Sequence, residues 1–87
     1  MTTYDIKWKS SSIKELKRLD RPIIPRIIQA IESLAINPFP FGSRKLKGSD
    51  HSCRIRVGDY RIVYTVFQEQ PIVEISRIRH RSSVYRT

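Results

Sequence analysis

A single cysteine, Cys53, leaves this 87-residue chain without an intrachain disulfide and fits a reducing compartment. It alternates with Arg54 on an apolar stripe, which reads as a buried structural thiol rather than a nucleophile. Glycine is scarce as well: Gly42, Gly48 and Gly58 cannot form a phosphate loop of Walker or Rossmann spacing. The two histidines, His51 and His80, stand far apart, and no Cys/His cluster has zinc-ligand spacing. Asp50 and Asp59 both sit in turns, where aspartate is commonplace, and no paired carboxylates offer a seat for two Mg²⁺ ions. No run approaches the ~20 apolar residues of a membrane span, and the N-terminus has no signal-peptide core. The chain therefore reads as cytoplasmic, with no metal, no cofactor and no membrane partner.

Acid is the other scarce commodity. Eight Asp and Glu face seventeen Lys and Arg, a formal net charge of +9. Residues 1–43 account for +3 of it and residues 44–87 for +6. Arginine dominates the basic residues after position 47, and its planar fork suits phosphate better than a lysine point charge. This balance favours a nucleic-acid partner, with an acidic protein segment as a second possibility. Eighty-seven residues make one small domain, 1–87, that buries roughly 60–65% of its unfolded surface.

Tyr4, Ile6 and Trp8 alternate with Asp5, Lys7 and Lys9, the pattern of a half-buried first strand. Ser12 and Glu15 have capping-box spacing ahead of a helix over about 12–20, with Ile13, Leu16 and Leu19 inward. Pro22 and Pro25 mark a corner and the first turn of a second helix. There Ile24, Ile27, Ile28, Ile31, Leu34 and Ala35 recur at helical spacing until Asn37-Pro38 stops it. Phe39-Pro40-Phe41-Gly42 reads as a loop whose phenylalanines plug the core edge. A basic segment, Arg44 to Gly48, then leads to a hairpin over about 52–67 and a last strand over 72–79. The order β-α-α-β-β-β gives an α+β domain: an N-terminal strand and a helical hairpin packed on a small, mostly antiparallel sheet.

In the hairpin, Gly58-Asp59 is a two-residue turn signal. Val57 then pairs with Tyr60, Arg56 with Arg61, and Ile55 with Ile62. Cys53, Ile55, Val57, Tyr60, Ile62, Tyr64 and Val66 share an apolar face, and Arg54, Arg56 and Arg61 share an open, basic one. Like charges placed opposite each other across strands are destabilising, so this face is expected to meet a polyanion. A module that merely grips phosphate is one such reading.

The other is metal-free cleavage of RNA, whose 2′-hydroxyl is a built-in nucleophile. Such cleavage needs a base for that hydroxyl, cations for the charge building on phosphorus, and an acid for the leaving 5′-oxygen. His80 and Tyr85 are the candidate proton-transfer groups, and Arg54, Arg56, Arg61, Arg79 and Arg81 the candidate stabilisers. Tyrosine ionises near ~10, so Tyr85 would act as a base only among cations. Lys45 and Lys47 read as a phosphate-attracting rim, with Arg77 flanking the site.

Three segments carry a family resemblance: Lys45-Leu46-Lys47-Gly48, the run from Arg54 to Tyr64, and the run from Arg77 through His80 and Arg81 to Tyr85. Together they resemble the RelE/ParE superfamily of toxins, over essentially the whole chain, and the RelE-like branch in particular. The resemblance implies the toxin of a type II toxin–antitoxin pair that cuts mRNA on the ribosome. It implies a cognate antitoxin whose disordered, acidic segment wraps the toxin, and operator DNA bound only through that complex. By matching positions, Arg54 and Arg56 would contact the substrate and Arg61 would stabilise the transition state. Arg79 would serve as acid or phosphate ligand and Tyr85 as base, with His80 as the alternative proton-transfer group. The chain departs from the RelE pattern in two ways: Arg54 and Arg56 replace lysines, and it ends two residues after Tyr85. ParE-like relatives poison DNA gyrase without cleaving nucleic acid, which leaves a non-enzymatic alternative.

Overall fold

A computed structural model describes residues 3–48 and 51–81. Among them, β1 (Asp5–Trp8), α1 (Ser10–Lys17), a 3₁₀ turn (Arg21–Ile23) and α2 (Ile24–Ser33) precede β2 (Arg44–Lys45), β3 (Ser52–Val57), β4 (Tyr60–Phe67) and β5 (Ile72–His80). The five strands form one sheet in the order β1-β5-β4-β3-β2, in which only β1 and β5 run parallel. The expectations for Ser49, Asp50 and residues 82–87, Tyr85 included, lie outside the described residues.

Alternation decides which side of the sheet is dry. Cys53, Ile55, Ile62, Tyr64, Val66, Val73, Ile75 and Ile78 are all buried, and they join Ile27, Ile31 and Leu34 of the α2 segment in one core. The hairpin register is the one its residues specify: Val57 opposite Tyr60, Arg56 opposite Arg61, Ile55 opposite Ile62. Gly58 has φ +59° and Asp59 has negative φ, the pattern of a type II′ turn, so only the first turn position demands glycine. A bulge between Val63 and Tyr64 resets the β4–β5 register.

Four local expectations are corrected. Arg44–Lys45, expected only as part of a basic segment, is a short edge strand that pairs with Arg54 and Cys53. Ser12 is buried and Ile13 exposed, because the inward face of α1 runs through Ser12, Glu15 and Leu16, with Leu19 following beyond its end. The capping box does not form: the helix starts at Ser10, and the Ser12 hydroxyl donates to the Lys9 carbonyl (2.7 Å). Phe41 is fully exposed and Phe39 partly so; Pro38 is the buried residue of that loop.

Pro38 is held by Tyr64, whose buried hydroxyl donates to its carbonyl at 2.7 Å. Burial, chiefly, pushes the Tyr64 phenol up to about 12; the neighbouring Cys53 adds to the rise and a hydrogen bond with Ser43 opposes it. Unfolded tyrosine ionises near ~10, so above that pH the unfolded chain releases a proton that the native state keeps. Stability is therefore expected to be full below pH ~10 and to fall between ~10 and ~12. Burial likewise raises the Cys53 thiol, against the pull of Lys45, so its contribution begins to fall earlier in the alkaline range. Tyr64→Phe should cost about 1 kcal/mol at neutral pH, through the lost hydrogen bond, yet flatten the alkaline decline. Urea unfolding of both proteins at pH 8, 10 and 11 checks this; parallel declines would disprove the assignment to Tyr64.

Candidate RNA-cleavage site

The sheet register sets arginines in rows. Arg56, Arg61 and Arg79 lie opposite one another across β3, β4 and β5. Beside them, Arg44 pairs with Arg54, and Val63 of β4 separates Arg54 from Arg77. Arg44, Arg54, Arg56 and Arg61, with Gly42 and Ile55, line a cleft of about 430 Å³. Five of the arginines thus come from four strands that the chain visits between residues 44 and 79, a convergence that only the sheet creates.

Arg61 departs from the open position expected of it. It is 9% exposed, and its Nη1 has no hydrogen-bond partner among the described residues. Buried polar atoms are normally satisfied, and an unpaired one costs about 1–3 kcal/mol, more when charged. Arginines stand on either side of Arg61 in the register, so no neighbouring strand supplies a counter-charge at that row. An anion bound in the cleft would supply both missing partners, charge and acceptor.

The neighbours are tied back. Arg56 donates from Nε to the Gly58 carbonyl at 2.9 Å, bracing the turn. Arg79 donates from Nε to Glu15 Oε2 at 3.0 Å, with Arg77 Nη1 3.9 Å from the same oxygen. Arg81 is exposed, and its backbone N–H donates to the Asp59 carbonyl at 2.7 Å, extending the β4–β5 pairing.

His80 goes elsewhere. Its register partner is Tyr60, and the rings meet edge to face with centroids 5.4 Å apart. Alternation puts both on the side of Ile78 and Ile62, whereas Arg79 and Arg61 belong to the other side. Lys45 is opposite Cys53, so it has the parity of the apolar face; Lys47 is exposed beyond the end of β2. The sheet thus groups Arg54, Arg56 and Arg61 in one cleft and sets Arg79 beside them in register, while the Arg79 side chain lines a neighbouring cleft with Glu15, Tyr60 and His80, and Lys45 stays apart.

Arg44 and Glu15 are the site residues that sequence reasoning missed. Arg44 belonged to a basic segment, but a two-residue strand has no periodicity to announce it. The Ser12–Glu15 spacing pointed instead to a helix cap. Among the described residues, no three His, Cys, Asp or Glu side chains gather as a metal site, and no helix is long and apolar enough to cross a membrane.

Residues 6–85 match the family described as the ParE toxin of the type II toxin–antitoxin system parDE. A candidate toxin RelE1 of Methanocaldococcus jannaschii is 31% identical over 95% of this chain and 96% of its own length. Toxin RelE3 of the same organism is 36% identical, over 84% of this chain and 85% of its own. The RelE–RelB complex of Pyrococcus horikoshii contains a chain that superposes with a TM-score of 0.82 at 27% identity, covering 99% of this chain and 100% of that one.

Proposed function

The chain belongs to the ParE toxin family of type II toxin–antitoxin systems, in the RelE branch of the RelE/ParE superfamily, and on that premise we propose that it is a ribosome-dependent, metal-independent mRNA endoribonuclease that stops translation. The observation that carries this reading is Arg61: a nearly buried guanidinium with an unsatisfied nitrogen, in a cleft lined by three further arginines.

The reaction follows from the groups at hand. The substrate's 2′-oxygen attacks the adjacent phosphorus as a base removes its proton. Negative charge grows on the non-bridging oxygens, where Arg61 stabilises it and Arg54 and Arg56 hold the backbone. Arg79 binds the same phosphate. The P–O5′ bond then breaks and the 5′-oxygen takes a proton, leaving a 2′,3′-cyclic phosphate and a 5′-hydroxyl. Tyr85 or His80 takes the proton from the 2′-hydroxyl, and the same group, now protonated, returns it to the leaving 5′-oxygen. Lys45, Lys47, Arg77 and Arg81 draw in RNA through long-range attraction that weakens with salt. DNA, which has no 2′-hydroxyl, is spared.

A cognate antitoxin with an acidic, partly disordered segment suits a surface of charge +9. The Pyrococcus relative was crystallised with its RelB. The reading places the protein in the cytoplasm, on ribosomes and mRNA, with operator DNA reached only through the toxin–antitoxin complex.

The ParE name of the matching family favours one second reading, a non-catalytic inhibitor of DNA gyrase. In vitro translation with purified protein, followed by primer extension and end-group analysis, separates the two. Cuts at discrete codons that need ribosomes and leave 5′-hydroxyl ends are expected. Intact mRNA with undiminished translation, and gyrase arrested on DNA, would establish the second reading instead.

A further inference from the structure

Strand β5 outruns its neighbour. β1 pairs with it only from Ile72 to Ile75, so on that side Ser76 to His80 have no strand beside them. Exposed edges are a liability, and α1 closes this one with side chains. The Lys9 N–H donates to the Ile75 carbonyl at 3.0 Å as the chain leaves β1. Two residues on, the Ser11 hydroxyl donates to the Ser76 carbonyl at 3.0 Å. Glu15 Oε1 then accepts the Ile78 N–H at 2.9 Å. The second carboxylate oxygen, Oε2, accepts the Arg79 Nε–H at 3.0 Å. The Glu15 side chain is only 19% exposed.

One carboxylate is thus clamped by a backbone donor of the strand and by the guanidinium of the next residue. The backbone bond fixes where the carboxylate lies; the carboxylate then fixes how the Arg79 side chain leaves the strand. The bond uses Nε, and the terminal Nη groups take no part in it. An arginine ordered before substrate arrives loses less freedom on binding and meets the phosphate in one orientation.

From this geometry we propose that Glu15 is a positioning residue, holding the Arg79 guanidinium in register with Arg61 and Arg56 for the scissile phosphate. The proposal rests on the reading of Arg79 as a phosphate ligand. Glu15 touches no reacting atom; it acts through Arg79. Glu15→Gln keeps an amide oxygen for the Ile78 N–H but removes the charge that orders Arg79.

The test is a four-protein cycle of wild type, Glu15→Gln, Arg79→Ala and the double variant, assayed for ribosome-dependent cleavage, with the Arg79 Nε–H followed by ¹⁵N NMR. Glu15→Gln should lower kcat about 10-fold with little change in KM, and should cost almost nothing further once Arg79 is alanine. The Arg79 Nε–H should exchange slowly in the wild type and fast in Glu15→Gln. If Arg79→Ala cleaves like wild type, the role assigned to Arg79 in the reaction is wrong. If Arg79→Ala is impaired while Glu15→Gln is not, or the two losses multiply, only the positioning role falls. Should Glu15→Gln not fold, the wild-type spectrum decides, since an unprotected Nε–H would overturn the proposal.

Discussion

Arg61→Met is expected to abolish cleavage while leaving the protein as stable as before, or more so. Cationic stabilisation at a developing oxyanion is worth about 10²–10³ in rate per group, and Arg61 is the most buried such group in the cleft. Its burial should amplify the electrostatic effect, because water is largely excluded from the guanidinium. The same burial is unfavourable in the free protein. Nη1 has no partner, and Arg56 and Arg79 lie in register on either side. Methionine replaces the aliphatic stem of arginine and carries no charge, so the substitution removes both the unsatisfied donor and the repulsion. Replacing a buried charge by an apolar side chain of similar volume is often neutral or stabilising. For a domain of this size each kcal/mol gained would raise Tm by about 4–8 °C. Thermal unfolding and single-turnover cleavage, measured on one preparation, check both halves of the expectation. Inorganic phosphate should raise the wild-type Tm and leave that of Arg61→Met nearly unmoved, as expected when an anion binds only the native cleft. A variant that still cleaves within a few-fold would remove Arg61 from the transition state. One that unfolds would make it a structural residue.

Such a site would trade stability for function, and the arginine row behind that expectation is partly legible in the sequence. Arg56 facing Arg61 follows from one turn signal, Gly58-Asp59, and strict alternation on either side of it. Local rules suffice there because the two strands are consecutive. The α2 segment was legible for a similar reason: Ile27, Ile31 and Leu34 keep helical spacing long enough to define a face. Helix α1, with eight residues, shows barely two turns, so its spacing alone puts Ile13 in the inward place that Ser12 takes. β2 was invisible because two residues carry no period, and its pairing with Arg54 and Cys53 is a long-range event. The burial of Arg61 was hidden too. Alternation assigns a residue to a face but says nothing of how deeply that face is covered. Glu15 shows the reverse error: a local motif fitted its spacing, and tertiary contacts with Ile78 and Arg79 won.

The register bears on His80, one of the two candidates for proton transfer, and Tyr85→Phe is expected to be far more damaging than His80→Gln. His80 follows Arg79 directly, and consecutive strand residues point to opposite faces. Its ring meets Tyr60 edge to face on the side of Ile78, while alternation gives Arg61 and Arg79, the arginines proposed to bind phosphate, to the other side. A group moving a proton at the scissile phosphate has to come within hydrogen-bond reach of the 2′-oxygen or the 5′-oxygen. His80 would have to leave Tyr60 and cross the sheet edge to do so. Tyr85 lies six residues beyond Arg79 in the chain, and a cationic surrounding of Arg54, Arg56, Arg61 and Arg79 is the setting in which a phenol can serve as a base. Losing a general base or acid costs about 10²–10⁴ in rate, so Tyr85→Phe should fall by that factor in single-turnover cleavage, whereas His80→Gln should stay within about threefold of wild type. RNA binding, measured with a 2′-deoxy substrate at the cleaved position, should be nearly equal for all three proteins, because neither substitution removes a phosphate-contacting cation. An inactive His80→Gln beside an active Tyr85→Phe would exchange their roles. It would also require the β5 end to rearrange on the ribosome, bringing His80 round to the arginine row.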